Sequence, residues 1–268
     1  MKKEEIKVCI VRMEGTNCED ETERAFRRLN VFAEKVHLKQ LTGDSSGERR
    51  RKLSDYQALI IPGGFSAGDY IRSGAVFASL MQSKLEKEVR EFANEGKIIG
   101  GICNGFQVLT SAGLLPGNIE AALTTNASSK FEGGFNYVKH LRKTPFTENV
   151  EIGKVLNFAH GHGEGRLLFV PGKDKQALKE LQENNQIVFR FCTPAGEFAN
   201  GKYPFNPNGT TFDIAGICNL GGNVVGWMPH PERVQDPFNH YDFHRNNRAS
   251  GDGMVIFESI IEYLQKKF

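Results

Sequence analysis

Cysteine is scarce in this chain, and its arrangement rules out two common scaffolds. The five cysteines, at positions 9, 18, 103, 192 and 218, are odd in number and contain no C-x-x-C pair. That argues against both a disulfide framework and a structural zinc site, and it suits a reducing cytoplasm. Excess charge of one sign is also missing. With 34 Lys and Arg against 32 Asp and Glu, the formal charge of +2 is too small to imply a nucleic-acid surface. The run Arg49-Arg50-Arg51-Lys52 stands beside Ser45, Ser46 and Gly47 and reads as a solvated loop. No apolar run is long enough for a signal or membrane segment, and the start Met1-Lys2-Lys3-Glu4-Glu5 is charged, so a cytoplasmic location is expected. Repeats and low-complexity tracts are absent as well. A phosphate loop is not met: the glycine-rich stretch from 63 contains no lysine and no Gly-Lys-Ser/Thr ending.

What is present is one segment with the look of a reactive centre. Lys97 to Leu109 runs from an apolar strand through Gly100-Gly101-Ile102-Cys103-Asn104-Gly105 into a helix-forming stretch. A nucleophile at such a turn is held in a strained backbone conformation, and Gly101 and Gly105 leave room around it. At the start of a helix, the free amides and the positive dipole end favour thiolate over thiol. A cysteine nucleophile needs a base, and the segment ending Trp227-Met228-Pro229-His230-Pro231-Glu232 supplies one. Pro231 disfavours the helical region for His230, so the dipeptide is expected to be extended, with His230 and Glu232 on one side. A carboxylate there can fix the imidazole while the imidazole takes the thiol proton. A third strand, Ala58 to Ile61, ends in Pro62-Gly63-Gly64. Acyl chemistry at a cysteine builds negative charge on a former carbonyl oxygen, and bare amides at a glycine pair approach such an oxygen closely.

Strands at about 7–13, 34–38, 58–61, 187–191, 214–218 and 224–228, with the apolar run from Lys97 up to Cys103, alternate in part with helices, including 84–93 and 174–183. The alternation predicts an α/β fold: one domain over 1–268, a doubly wound and mostly parallel sheet with helices on both faces. In such sheets a site lies beyond the carboxyl ends of the strands, where Gly63, Cys103 and His230 all fall. Thr16 or Asn17 is expected to cap the first helix, and Asp252 to start the last. Between 119 and 170 the helical pattern is lost, which predicts short strands and loops at the sheet edge. Two histidine groups have spacings that metal sites use: His160, His162 and Glu164 alternate, and His240 and His244 are four apart. Neither carries the H-E-x-x-H signature, and the glycines around 160–165 predict a loop. No metal is therefore expected, and His240 and His244 are expected at the surface.

Gly101-Ile102-Cys103-Asn104-Gly105-Phe106-Gln107, with His230-Pro231-Glu232 downstream and Pro62-Gly63-Gly64-Phe65-Ser66 upstream, resembles the class I, or triad, glutamine amidotransferases. The segments from Gly64 to Ala75 and from Ala159 to Gly165, with Asn206-Pro207-Asn208-Gly209 and Ile214 to Asn219, are most similar to one family among them. These are the small, separate-chain glutaminase subunits of phosphoribosylformylglycinamidine synthase. The resemblance spans nearly the whole chain and implies a flavodoxin-like sheet. It implies Cys103, His230 and Glu232 as the catalytic residues, the amides of Gly64 and Asn104 as the oxyanion hole, and Gly63 and Gln107 as substrate contacts. It further implies a large ATP-using synthetase partner that carries the ATP and Mg, with a small third subunit, and no cofactor in this chain. Departures from the family are Ala67, where tyrosine is common, and extra length near 44–54 and 234–251. A stand-alone cysteine hydrolase of the same sheet type and a silent binding module are the alternatives. Gln107 and the glycine pair weigh against the hydrolase, and the intact Cys103, His230 and Glu232 against the module.

Overall fold

The computed structural model describes residues 1–44, 47, 49–245 and 248–268. Ser45 and Ser46 of the expected loop, and two residues of the long 234–251 segment, lie outside the described residues. Eleven strands are assigned among those described: β1 (Lys7–Arg12), β2 (Phe32–His37), β3 (Ala58–Ile61), β4 (Ile98–Ile102), β5 (Ala121–Thr124), β6 (Glu132–His140), β7 (Val155–His162), β8 (Arg166–Phe169), β9 (Ile187–Cys192), β10 (Ile214–Cys218) and β11 (Val224–Trp227). Helices α1 (Glu19–Arg28), α2 (Leu38–Thr42), α3 (Ala75–Asn94), α4 (Asn104–Ser111), α5 (Asp174–Glu183) and α6 (Met254–Lys267) lie between and after them.

Nine of these strands form one sheet in the order β2-β1-β3-β4-β11-β10-β9-β6-β7, and β5 pairs with β8 apart from it. From β2 to β11 every pairing is parallel, while β11 with β10 and all pairings beyond are antiparallel. The parallel strands β3, β4 and β11 are buried at every residue, as strands covered on both faces must be. The cover is helical. Helix α1 meets α6 through an edge-on Phe26–Phe257 pair with ring centroids 5.2 Å apart, while α3 packs on α4. The result is the expected doubly wound α/β sheet.

The extension beyond β10 lies at the sheet edge, as the sequence predicts, but two of its strands are not short. β6 and β7, at nine and eight residues, are the longest in the described chain. His160 and His162 therefore stand on a strand instead of a loop. Gly161 is tolerated there because the Phe131 ring fills its side-chain space, 3.3 Å from where a Cβ would lie. Helix α3 begins at Ala75, nine residues before its expected start, because its apolar first turns carry no polar periodicity. Caps shift by one residue as well: Cys18 caps α1 and Gly253 caps α6.

Candidate active site

Cys103 sits between β4 and α4 with φ 51° and ψ −103°, a left-handed φ that a cysteine adopts only under constraint. Its neighbours supply that constraint. A Cβ at Gly105 would lie 2.0 Å from the Ile61 carbonyl oxygen, and one at Gly101 would lie 2.6 Å from the Gly105 oxygen. The start of α4 is thus pressed onto the ends of β3 and β4. The Cys103 amide donates to the Trp227 carbonyl at 2.8 Å, which locks the turn to β11. Its thiol is nearly buried, with Sγ 3.8 Å from the Gly161 carbonyl.

His230 follows β11 and donates its backbone N–H to Ala159 of β7 at 2.8 Å, an isolated antiparallel bridge. The residue is extended, as Pro231 requires, but Pro231–Arg233 then forms one turn of 3-10 helix where an extended chain was expected. That turn still brings the carboxylate to the ring: His230 Nδ1 and Glu232 Oε1 are 2.5 Å apart, both side chains buried. Because a carboxylate accepts, Nδ1 donates here, and in the neutral ring Nε2 is left as the acceptor. Among the described residues Nε2 has no protein hydrogen-bond partner. Burial opposes charge on the imidazole, but Glu232 and the Cys103 thiol outweigh it and lift His230 well above the usual histidine range.

The glycine pair lies against this base. A Cβ at Gly63 would come within 2.6 Å of His230 Cε1, so only glycine allows the ring to pack there. Gly64, at φ 141°, bridges to Thr16 in the turn after β1. The bonds of that bridge run from Asn17 N to Gly63 O and from Phe65 N to Gly15 O, so the Gly64 N–H takes no part in it. The Ser66 amide donates to Asn104 Oδ1 at 3.3 Å, tying the segment to the first turn of α4, whose leading amides have no helical acceptor. Gln107 is buried within a polar chain: Asn104 Nδ2 donates to Gln107 Oε1 at 2.9 Å, and Gln107 Nε2 donates to the Glu164 carbonyl. All seven residues singled out from the sequence therefore lie in one network of elements at the carboxyl ends of β3, β4 and β11.

The structure adds a residue that sequence reasoning had set aside. Cys18 Sγ lies 4.0 Å from His230 Nδ1 and accepts from Arg233 Nη2 at 3.1 Å. Among the described residues, the thiol, imidazole and carboxylate atoms that crowd within 4.8 Å of one another belong to Cys18, His230 and Glu232. The available signal was position, since Cys18 follows β1 as Gly63 follows β3.

The histidine groups behave differently. His162 Nε2 faces Asn208 Nδ2 at 3.1 Å, and Asn208 Oδ1 is engaged by the Thr210 amide, so the asparagine donates and His162 carries its proton on Nδ1. Burial, with His230 nearby, pushes His160 down to about 4; burial with both neighbouring histidines lowers His162 well below the usual range. Contrary to the surface position expected of it, His240 is buried, with Nδ1 3.2 Å from Asn157 Oδ1 and Nε2 accepting the Asp252 amide. His244 is exposed in a turn, and no helix places the two on one face.

Comparison with known proteins places the class first. A family model for the CobB/CobQ-like glutamine amidotransferase domain matches residues 5–264, and the fold is that of this class of enzyme. The phosphoribosylformylglycinamidine synthase subunit PurQ of Archaeoglobus fulgidus is 47% identical over 99% of this chain and 100% of its own length. That of Picrophilus torridus is 41% identical over 92% and 94%. In a solved structure of PurLQS from Thermotoga maritima, a matching chain has TM-score 0.71 and 30% identity, covering 97% of this chain and 99% of its own. The chain belongs to this family of phosphoribosylformylglycinamidine synthase subunits. Among the described residues no helix is long and apolar enough to cross a membrane.

Proposed function

We propose that the chain is the glutaminase subunit of a cytoplasmic phosphoribosylformylglycinamidine synthase, releasing ammonia from glutamine for purine biosynthesis. Cys103 attacks the side-chain amide of glutamine. His230 takes the thiol proton at Nε2 and returns it to the departing nitrogen, so that ammonia leaves and a thioester to Cys103 remains. Water, activated by the same imidazole, then releases glutamate. Glu232 holds the ring through Nδ1 and stabilises its cationic form. The amides of Gly64 and Asn104 receive the oxyanion, and Gly63 and Gln107 line the substrate. The ammonia passes to a large synthetase subunit that binds the ATP and Mg, with a third small subunit in the complex. The PurLQS relative supports such an assembly.

The single observation that carries the reading is a strained, helix-starting Cys103 that interacts with a buried His230–Glu232 couple. A diazo-ketone analogue of glutamine tests it. The reagent should label Cys103 alone among the five cysteines, as read by peptide mapping. Labelling elsewhere with Cys103 untouched would overturn the mechanism.

A further inference from the structure

Four cysteines other than Cys103 are buried, and three of them fit a purely structural role. Cys9 is pushed far up by burial and the nearby Glu34, and burial raises Cys192 and Cys218 to about 11. Cys18 is equally buried, yet its surroundings are polar and directed. Its thiol faces Asn17 Oδ1 at 3.2 Å, which accepts the S–H and leaves the sulfur lone pairs free. One is taken by the Arg233 guanidinium at 3.1 Å, and the His230 Nδ1 edge lies 4.0 Å away. The sulfur also sits in the space beside Gly63, 3.2 Å from where a Cβ would lie, on the same side as His230 Cε1. His230 is therefore bounded by Gly63 along one edge, by Glu232 at Nδ1 and by Cys18 next to Nδ1.

Resting on the glutaminase reading, we propose that Cys18 and Arg233 are a positioning pair for His230. The sulfur, anchored by Arg233, holds the imidazole from the Nδ1 side while Glu232 accepts the Nδ1 proton. Glu232 alone fixes one point of the ring, and a ring held at one point can pivot about that bond. A large, polarisable sulfur packed beside the same edge restricts the pivot, so Nε2 stays aimed at Cys103. When the imidazole takes up the Cys103 proton, the sulfur's remaining lone pair supports the cation. Arg233 directly follows Glu232 in the turn Pro231–Arg233, so one short segment carries the base, its carboxylate and the anchor of the sulfur. The other titratable groups facing His230 are Cys103, from the turn before α4, and His160 and His162, from β7.

The test compares Cys18→Ala, Cys18→Ser, Arg233→Met and the double variant Cys18→Ala/Arg233→Met in the assembled complex, with Cys103→Ala alongside. Cys18→Ala should lower kcat for glutamine hydrolysis about three- to tenfold, the worth of one modest polar contact, with KM for glutamine unchanged. The limb of the pH–rate profile that reports His230 should move to lower pH, because a support of the cation is gone. Cys18→Ser, which keeps an acceptor, should recover part of the loss. Arg233→Met should lower kcat in the same way but without the downward move of the limb, because loss of its positive charge favours the imidazolium, and the double variant should be no worse than Cys18→Ala. An unmoved pH limb and unchanged kcat, with only the thermal midpoint altered, would reduce Cys18 to packing and overturn the proposal. If Cys18→Ala does not fold, Arg233→Met decides alone, since its side chain is partly exposed. Retention of glutamine hydrolysis by Cys103→Ala would instead sink the glutaminase reading, a separate result.

Discussion

The two halves of the large sheet are built on different physics and meet at β11. On the parallel side the strands are four to six residues long and end in turns that hold the candidate site residues: Cys18 after β1, Gly63 after β3, Cys103 after β4 and His230 after β11. Apolar burial and close glycine contacts hold this half. On the antiparallel side, long strands offer backbone to the site, the Ala159 carbonyl to His230 and the Gly161 carbonyl beside Cys103. Three histidines of that half, His140, His160 and His162, and His240 packed against it, are buried and lowered by burial. One half supplies reactive groups in strained positions; the other supplies a polar, uncharged wall. The chemistry and the wall should therefore fail under different insults.

The sharpest division comes from Cys103→Ala, which should abolish glutamine-dependent synthesis by the assembled complex and leave ammonia-dependent synthesis intact. Rates with either nitrogen source measure it, and loss of both with normal assembly would assign Cys103 another role. Next in size is the dependence on partner. The isolated chain should hydrolyse glutamine about a hundredfold more slowly than the complex loaded with nucleotide and acceptor, the worth of one oxyanion donor. Tyr70 and Ile71, 92% and 79% exposed and following the glycine pair in the chain, would with Arg72 form the surface that meets the partner. Arg72→Ala should narrow the gap, and equal rates for lone chain and complex would end the idea.

Stability should also divide by location. Gly105→Ala places a methyl 2.0 Å from the Ile61 carbonyl, where backbone faces backbone, and should cost about 3 kcal/mol in denaturant unfolding. Gly163→Ala, with nothing within 4 Å of its Cβ, should be close to neutral. The smallest effect is on pH. A histidine whose folded pKa is depressed binds fewer protons folded than unfolded, so its stability is present above about 6.5 and is lost as pH falls toward the folded value, about 4 for His160. His230 has the opposite sign: its contribution is full below 6.5 and fades as pH rises through its raised pKa. Hydrogen exchange at pH 5 should therefore show β6 and β7 losing protection before β1, β3 and β4. Uniform loss would erase the contrast.

Much of this was legible in residues that interact locally. The bounds of β3, α5 and β10 follow from apolar runs and breakers, and the turn at Cys103 follows from two glycines and a change of period. Elements shaped by distant partners were not legible. His160-Gly161-His162 alternates as a strand does, yet its glycines pointed to a loop, because Phe131 compensates for Gly161 from across the β6 boundary. Asp252 looks like a cap, but its carboxylate accepts from Asn157 N at 2.8 Å and pairs with Arg248. The role of Cys18 depends on a contact spanning 212 positions, which no local pattern announces.

The peptide joining Gly63 to Gly64 is held more loosely than its surroundings. Its carbonyl receives the amides of Asn17 and Cys18 at 3.4 and 3.3 Å, beyond the usual hydrogen-bond length, whereas Phe65 N reaches Gly15 O at 2.9 Å and Ala67 N reaches Glu14 O at 2.8 Å. A rotation of that one amide plane would surrender two weak bonds and re-aim the Gly64 N–H, with the clamps on either side undisturbed. Glycine on both sides makes such a rotation sterically open. A docking event at the surface could thus be transmitted to the oxyanion by the turning of six atoms, without a hinge, a sliding helix or any displacement of the triad.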